Sequence, residues 1–224
     1  MEESNPFAKK HVEEVTAAQR TILDELNLPP AAKNFLRENS RLLLISFLVI
    51  VGAICAWSYY SYYIDSRNDR AARHLAQAML ITEPDQKREA LQKVSADFSA
   101  TGSALWAQFA VAADHLKRQE YDRALPVLTA MHGKVSSENP LFPLLQQFSG
   151  AAHELSGDLE AALHFYQTLS SLPGFSGLGY IEEGRVHERQ NQAAQAKDAY
   201  EKALTAKGIS AEQRAWLQEK VSSL

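Results

Sequence analysis

The chain has 224 residues and a formal net charge of −4, from 23 Lys and Arg against 27 Asp and Glu. That balance, with no basic stripe, zinc-finger spacing or base-reading motif, argues against nucleic acid as a partner. The lone cysteine, Cys55, rules out an intramolecular disulfide, and its apolar setting without a resolving thiol argues against redox catalysis.

Residues 1–41 read as a polar tail. Val12, Val15, Ile22, Leu23 and Leu26 have the spacing of one helical face, and Pro29 and Pro30 then interrupt the pattern. A docking helix for a partner and a weakly ordered or locally packed segment both fit these residues.

Leu42 to Ile64 is a run without a charged side chain, bounded by Arg41 and Asp65. As a helix it reaches about 35 Å, enough to cross a hydrocarbon core of about 30 Å. A cleavable signal peptide would start nearer the N-terminus and finish in small residues. Here the polar tail comes first, and the run ends in Trp57, Tyr59, Tyr60, Tyr62 and Tyr63, rings suited to a headgroup layer. The reading is a retained transmembrane helix over 42–64, with Cys55 a small apolar contact inside it. Lys33, Arg37 and Arg41 on one side are matched by Arg67, Arg70 and Arg73 on the other, so charge does not choose the orientation. The larger C-terminal part suits a signal anchor with the tail in the cytoplasm and the rest exported.

Residues 65–224 repeat. Gly150, His153, Ala162 and Tyr166 recur 34 residues later as Gly184, His187, Ala196 and Tyr200. That is the length of a tetratricopeptide unit, a helix pair that buries its apolar faces only by stacking on neighbours. An earlier unit fits with a shift of 38, placing Ala112, His115 and Ala124 before Gly150, His153 and Ala162 and leaving four extra residues in the linker around Asn139 and Pro140. Ala90 marks a weaker unit before that. The final segment, with Trp216, Leu217 and Val221, reads as a capping helix. The expected fold is all-α: one transmembrane helix, then a tetratricopeptide-like solenoid starting near Asn68.

In this register Gly150, Gly184 and Ala112 occupy a close helix crossing, Ala162 and Ala196 its counterpart, and Tyr166 and Tyr200 the core. His115, His153 and His187 recur once per unit, so they should lie a repeat apart rather than converge on an ion. His11, His74, His132 and His164 lack ligand spacing, and no nucleophile motif, acidic pair or glycine-rich phosphate loop is present. The expectation is a binding module without catalytic residues, metal or cofactor.

The concave phase of the array falls on Trp106, Phe109, Ala113 and Leu116, then Leu144, Gln147, Ala151 and Leu155, then Leu178, Ile181, Arg185 and Arg189. This predicts an apolar peptide-binding groove with positive charge towards the C-terminal repeats. Internal packing of part of the same stripe is the competing reading. The basic-asparagine clamp that some tetratricopeptide domains use for C-terminal carboxylates is missing.

The stretch NFLRENSRLLLISFLVIVGAICAWSYY, with Phe35, Glu38 and Asn39 before the apolar run, Gly52 within it and Trp57 and Tyr59 near its end, resembles the YfgM family, the ancillary subunit of the bacterial Sec translocon. The resemblance extends more weakly through residues 33–224. It implies an inner-membrane protein with a cytoplasmic tail and a periplasmic repeat domain. The implied partners are the Sec translocon, a membrane-anchored periplasmic chaperone of the prolyl-isomerase type, and client polypeptides during export. It also implies that Phe35, Glu38, Asn39, Gly52, Trp57 and Tyr59 serve membrane assembly. The longer tail with Pro29-Pro30 and the extended linker depart from the family pattern. An envelope scaffold that holds a stable folded partner in the same groove is the alternative to a translocon-associated, chaperone-like adaptor.

Overall fold

The computed structural model describes residues 29–224, and every regular element among them is an α-helix. The tail pattern at Val12 to Leu26 lies outside the described residues. The chain divides into two units, Met1–Tyr63 and Ile64–Leu224.

In the first unit, α1 (Pro30–Glu38) opens on Pro30, where a missing N–H costs little because the first helical amides have no intrahelical acceptor. Asn39 closes it, its backbone N–H and its Nδ2 both donating to Phe35 O at 3.0 Å. The Asn39 carbonyl then accepts from Leu43 N–H at 2.9 Å as α2 begins. Asn39 thus has a clear capping role, and the Phe35 ring is exposed.

Helix α2 (Ser40–Leu80) contains the one stretch among the described residues long and apolar enough to cross a membrane. Its Leu42, Phe47, Leu48, Ile54, Trp57 and Tyr59 are exposed, and the space beside Gly52 is open. The apolar run stops at Ile64, yet the helix continues. No Gly or Pro interrupts the chain between Ile64 and Pro84, so the backbone has no reason to break where the polarity changes.

In the second unit, Leu75 and Ala78 of α2 pack with Leu91 and Val94 of α3 (Pro84–Asp97) and with Ala107 and Val111 of α4 (Gly102–Lys117). Three helical hairpins follow the divergent first unit: α4 with α5 (Tyr121–His132), α6 (Phe142–Ser156) with α7 (Leu159–Ser171), and α8 (Ser176–Arg189) with α9 (Ala193–Thr205). Each hairpin packs closely on the next, and α10 (Ala211–Ser223) covers α9. Leu217 of α10 is fully buried among Ala196, Tyr200 and Ala203, Val221 packs beside it, and Trp216 meets Tyr200 edge-on at 5.6 Å. A capping box between Ser210 and Gln213 fixes where this helix starts. The longer linker after α5 is pinned at both ends by buried Val135 and Leu141, and Asn139 Oδ1 accepts from Leu141 N–H.

The turn inside each hairpin is built the same way three times. Gln119, Gly157 and Asn191 all have left-handed backbone, with φ of 62°, 93° and 58°. The next residue folds back on the recurring histidine: the amides of Glu120, Asp158 and Gln192 each donate at 2.9 Å to the carbonyls of His115, His153 and His187. Ring atoms reinforce two of these turns, with Nδ1 of His115 and of His187 each 2.7 Å from the side chains of Glu120 and Gln192. Nδ1 of His153 lies 3.3 Å from Asp158 Oδ2 but out of line for a hydrogen bond. The histidines therefore tie the hairpin turns.

Candidate partner-binding site

Three repeat-equivalent positions decide the polarity of the array. A Cβ on Gly150 or Gly184 would fall inside the van der Waals contact of the Tyr166 or Tyr200 ring, so each tyrosine sits where only glycine leaves room. In the earlier hairpin the pair is Ala112 with Leu128, both buried, where a shorter side chain accommodates the extra methyl. A buried tyrosine also needs a partner for its hydroxyl. Tyr166 donates to Glu154 at 3.0 Å and Tyr200 to Glu188 at 2.8 Å, whereas the equivalent of these glutamates beside Leu128 is Leu116.

Each glutamate, Glu154 buried and Glu188 partly buried, then recruits a cation from the next helix but one. Glu154, 4 % exposed, receives Nε and Nη2 of Arg185 at 3.0 and 2.6 Å, and Nη1 of Arg189 at 3.2 Å. Arg189 Nη1 also caps the Glu154 carbonyl at 2.9 Å. Glu188 receives Lys220 of α10 at 2.8 and 3.0 Å. Burial pushes the Glu154 carboxyl up, but the hydrogen bonds and charge of Arg185, with Arg189 and Tyr166, bring it below the ordinary carboxylate range. The same opposition, with Lys220 and Tyr200 prevailing over burial, lowers Glu188. Glu182 behaves oppositely: although Arg185 Nη1 is 2.6 Å away, burial dominates and raises it, and the negative charge of nearby Glu154 adds to the rise.

These contacts correct the expected distribution of charge. The guanidiniums of Arg185 and Arg189 are partly exposed but answered by carboxylates of the array itself, so neither is a free cation in the predicted groove. Phe109 and Leu116 are buried, and Leu144, Leu178 and Ile181 are half-buried against core clusters. Gln147 and Ala151 are half-buried, while Leu155 stands exposed. The twelve predicted groove residues are therefore divided between core packing, internal ion pairs and open surface.

Three of them, Trp106, Phe109 and Ala113, line a cavity of about 670 Å³ between the end of α2, α3 and α4. Leu75, Met79 and Ile81 close it from the α2 side and Leu91 from α3. Trp106 packs edge-on against Phe109 at 6.0 Å and keeps 43 % of its surface exposed. Sequence reasoning missed the α2 and α3 walls because they belong to the unit with the weakest repeat signal. The spacing of Leu75 and Met79, one turn apart just before the helix ends, was the available clue. Among the described residues no group of three or more His, Cys, Asp or Glu is placed to hold a metal ion.

The profile of the tetratricopeptide repeat-like domain family matches residues 33–224. The chain belongs to that family. Among curated proteins none matches it. Among solved structures, the nearly identical tetratricopeptide-like repeats described as a kinesin light chain from Podosopora anserina are 18 % identical, with a TM-score of 0.49, covering 72 % of this chain and 84 % of that one. Tetratricopeptide-like arrays are scaffolds for protein–protein interaction, because stacked units leave an extended surface no single unit could form. In this tetratricopeptide-like array that surface includes an apolar cavity at its first two units.

Proposed function

We propose that the protein is a membrane-anchored adaptor that binds partner or client polypeptides during export, in association with the Sec translocon and a membrane-anchored periplasmic chaperone of the prolyl-isomerase type. The observation that carries this reading is the pairing of one exposed, membrane-length apolar stretch in α2 with a protein-binding repeat array. The translocon association is supported by the resemblance at Phe35, Glu38, Asn39, Gly52, Trp57 and Tyr59. In this reading α2 spans the bacterial inner membrane, the tail lies in the cytoplasm and residues 65–224 lie in the periplasm. The protein acts by binding and carries out no catalysis.

Two measurements test it. Protease added to spheroplasts should cut beyond Ile64 and leave the tail protected; protection of the repeat domain instead reverses the topology. A photoreactive residue at Leu155 of the full-length chain in native membranes should crosslink to translocon subunits and to exported chains in transit. Crosslinks confined to one stable folded partner would favour an envelope scaffold.

A further inference from the structure

The cavity between α2, α3 and α4 is apolar inside and electrically uneven at its edge. Its walls are Leu75, Met79, Leu91, Trp106 and Phe109, and Met79 and Trp106 also reach the surface. Four charged residues line it: Lys87, Arg88, Asp114 and Lys117. Two of them belong to a closed network. Arg88 lies beside Asp85 and at 3.2 Å from Asp114, while Arg118 pairs with the same two carboxylates at 3.3 and 3.1 Å. Those guanidiniums and carboxylates compensate one another.

The lysines are left over. Lys87 donates one hydrogen bond, at 3.0 Å, to the Met79 carbonyl, which holds its ammonium group near the end of α2 with two further N–H donors to offer. Lys117 is exposed and has no ion-pair partner among the described residues. Lys87 likewise has no ion-pair partner among the described residues, and an apolar hole edged by two such ammonium groups complements a ligand with an apolar centre and anionic flanks. Its volume lies within the range of about 300–1,000 Å³ that binding pockets span, large enough for a whole aromatic or aliphatic side chain.

We propose that this cavity receives a large apolar side chain of a partner polypeptide whose neighbouring residues are acidic, with Lys87 and Lys117 holding the flanking carboxylates. The inference rests on the protein-binding reading above and moves the charged recognition site from Arg185 and Arg189, which are internally paired, to the first two repeats. Trp106 supplies the exposed wall against which the entering side chain packs.

The test uses the full-length chain in nanodiscs and a fluorescent synthetic peptide with one phenylalanine between aspartates and glutamates. Two control peptides replace the phenylalanine by alanine or the acids by lysines. The acidic phenylalanine peptide should bind best, and added salt should weaken it. The double variant Lys87→Glu, Lys117→Glu should bind it about tenfold more weakly and gain affinity for the lysine-flanked peptide. Ala113→Phe, which fills the cavity, should weaken all phenylalanine peptides. Circular dichroism and thermal melting accompany both variants, and the lysine double variant decides if the filled one does not fold.

Equal binding of the phenylalanine and alanine peptides, or unchanged affinity in the folded lysine double variant, overturns the proposal. Competition by added phospholipid acyl chains with no effect of the lysines would assign the cavity to a lipid and also overturn it. If the cavity variants are silent while crosslinks from Leu155 persist, only this inference fails; if those crosslinks are missing too, the adaptor reading fails with it.

Discussion

Glu154 and Arg185, 31 residues apart and on the first helices of successive hairpins, meet through two charge-assisted hydrogen bonds of 3.0 and 2.6 Å. The carboxylate is buried and the guanidinium partly exposed, so the pair joins the core of one repeat to the surface of the next. Removing the cation leaves a buried anion with only Arg189 and Tyr166. Arg185→Ala should destabilise the fold by about 2 kcal/mol, less than the ~3–5 of a wholly buried pair because Arg185 is half exposed and Arg189 remains. Denaturant melts of the full-length chain read this. Joint replacement Glu154→Leu, Tyr166→Leu and Arg185→Ala, which imitates Leu116, Leu128 and Ala151, should cost less than the sum of the single changes.

Gly150 and Tyr166 offer a second test. Gly150→Ala pushes a methyl into the tyrosine ring and should cost about 1–3 kcal/mol through overpacking. Adding Tyr166→Leu should recover part of that loss, as Ala112 and Leu128 already coexist. A double-mutant cycle with no coupling would mean the two positions do not share one space.

The carboxylates predict opposing pH effects. Glu154 is lowered in the fold, so its contribution is present above the unfolded-chain value and is lost as pH falls through the folded one. Glu154→Gln should therefore lower stability at neutral pH and flatten the acid limb below about pH 4. Glu182 is raised chiefly by burial, so the folded state holds its proton more tightly and stability falls as pH rises from the unfolded value through the folded one. Glu182→Gln should raise the melting temperature at neutral pH, and the advantage should shrink towards about pH 4. Thermal melts across that range check both signs.

The histidines give a test of structure against metal binding. His115→Ala removes the ring contact to Glu120, whose carboxylate that hydrogen bond holds below its ordinary range, and should loosen the first hairpin turn. The expected readout is a lower melting temperature with helicity retained. Chelator should leave helicity and melting of the native chain unchanged; a shift on chelation would contradict the turn-tying role.

Backbone strain at the turns is also measurable. Gln119 adopts the left-handed conformation that Gly157 occupies freely. Gln119→Gly should stabilise by a few tenths to about 1 kcal/mol, relief of strain being partly offset by the freedom glycine gains when unfolded. No gain in melting temperature would show that the Gln119 side chain compensates its own strain.

The helical array was legible because Gly150, Tyr166 and their counterparts recur at a fixed step, and a step in sequence becomes a step in space when units stack. Leu217 and Val221 were readable for the same reason, as the last apolar face needs a cover. The charge at Arg185 and Arg189 was misread because repeat phase says which way a side chain leaves its helix and nothing of who meets it. Glu154 and Glu188 carried the missing signal: a glutamate recurring with a tyrosine at the 34-residue step marks an acceptor for the tyrosine hydroxyl that also draws a cation. The end of α2 was hidden for another reason. Composition changes at Ile64 while backbone preference does not, so the polarity boundary and the helix end are separate events.

The switch from Leu116 and Leu128 to Glu154 with Tyr166, and then Glu188 with Tyr200, gives the array an uneven response to acid. The core between α4 and α5 is apolar, with ionised carboxylates such as Glu120 and Asp114 only at its edges, whereas the joints at Arg185 and Lys220 that link one hairpin to the next element depend on ionised carboxylates. Acidification below the ordinary carboxylate range should therefore open amide protons in α8 to α10 to exchange before those in α4 and α5, a graded fraying from the C-terminal end. The Trp106 wall would still be standing when the far repeats have begun to unfold.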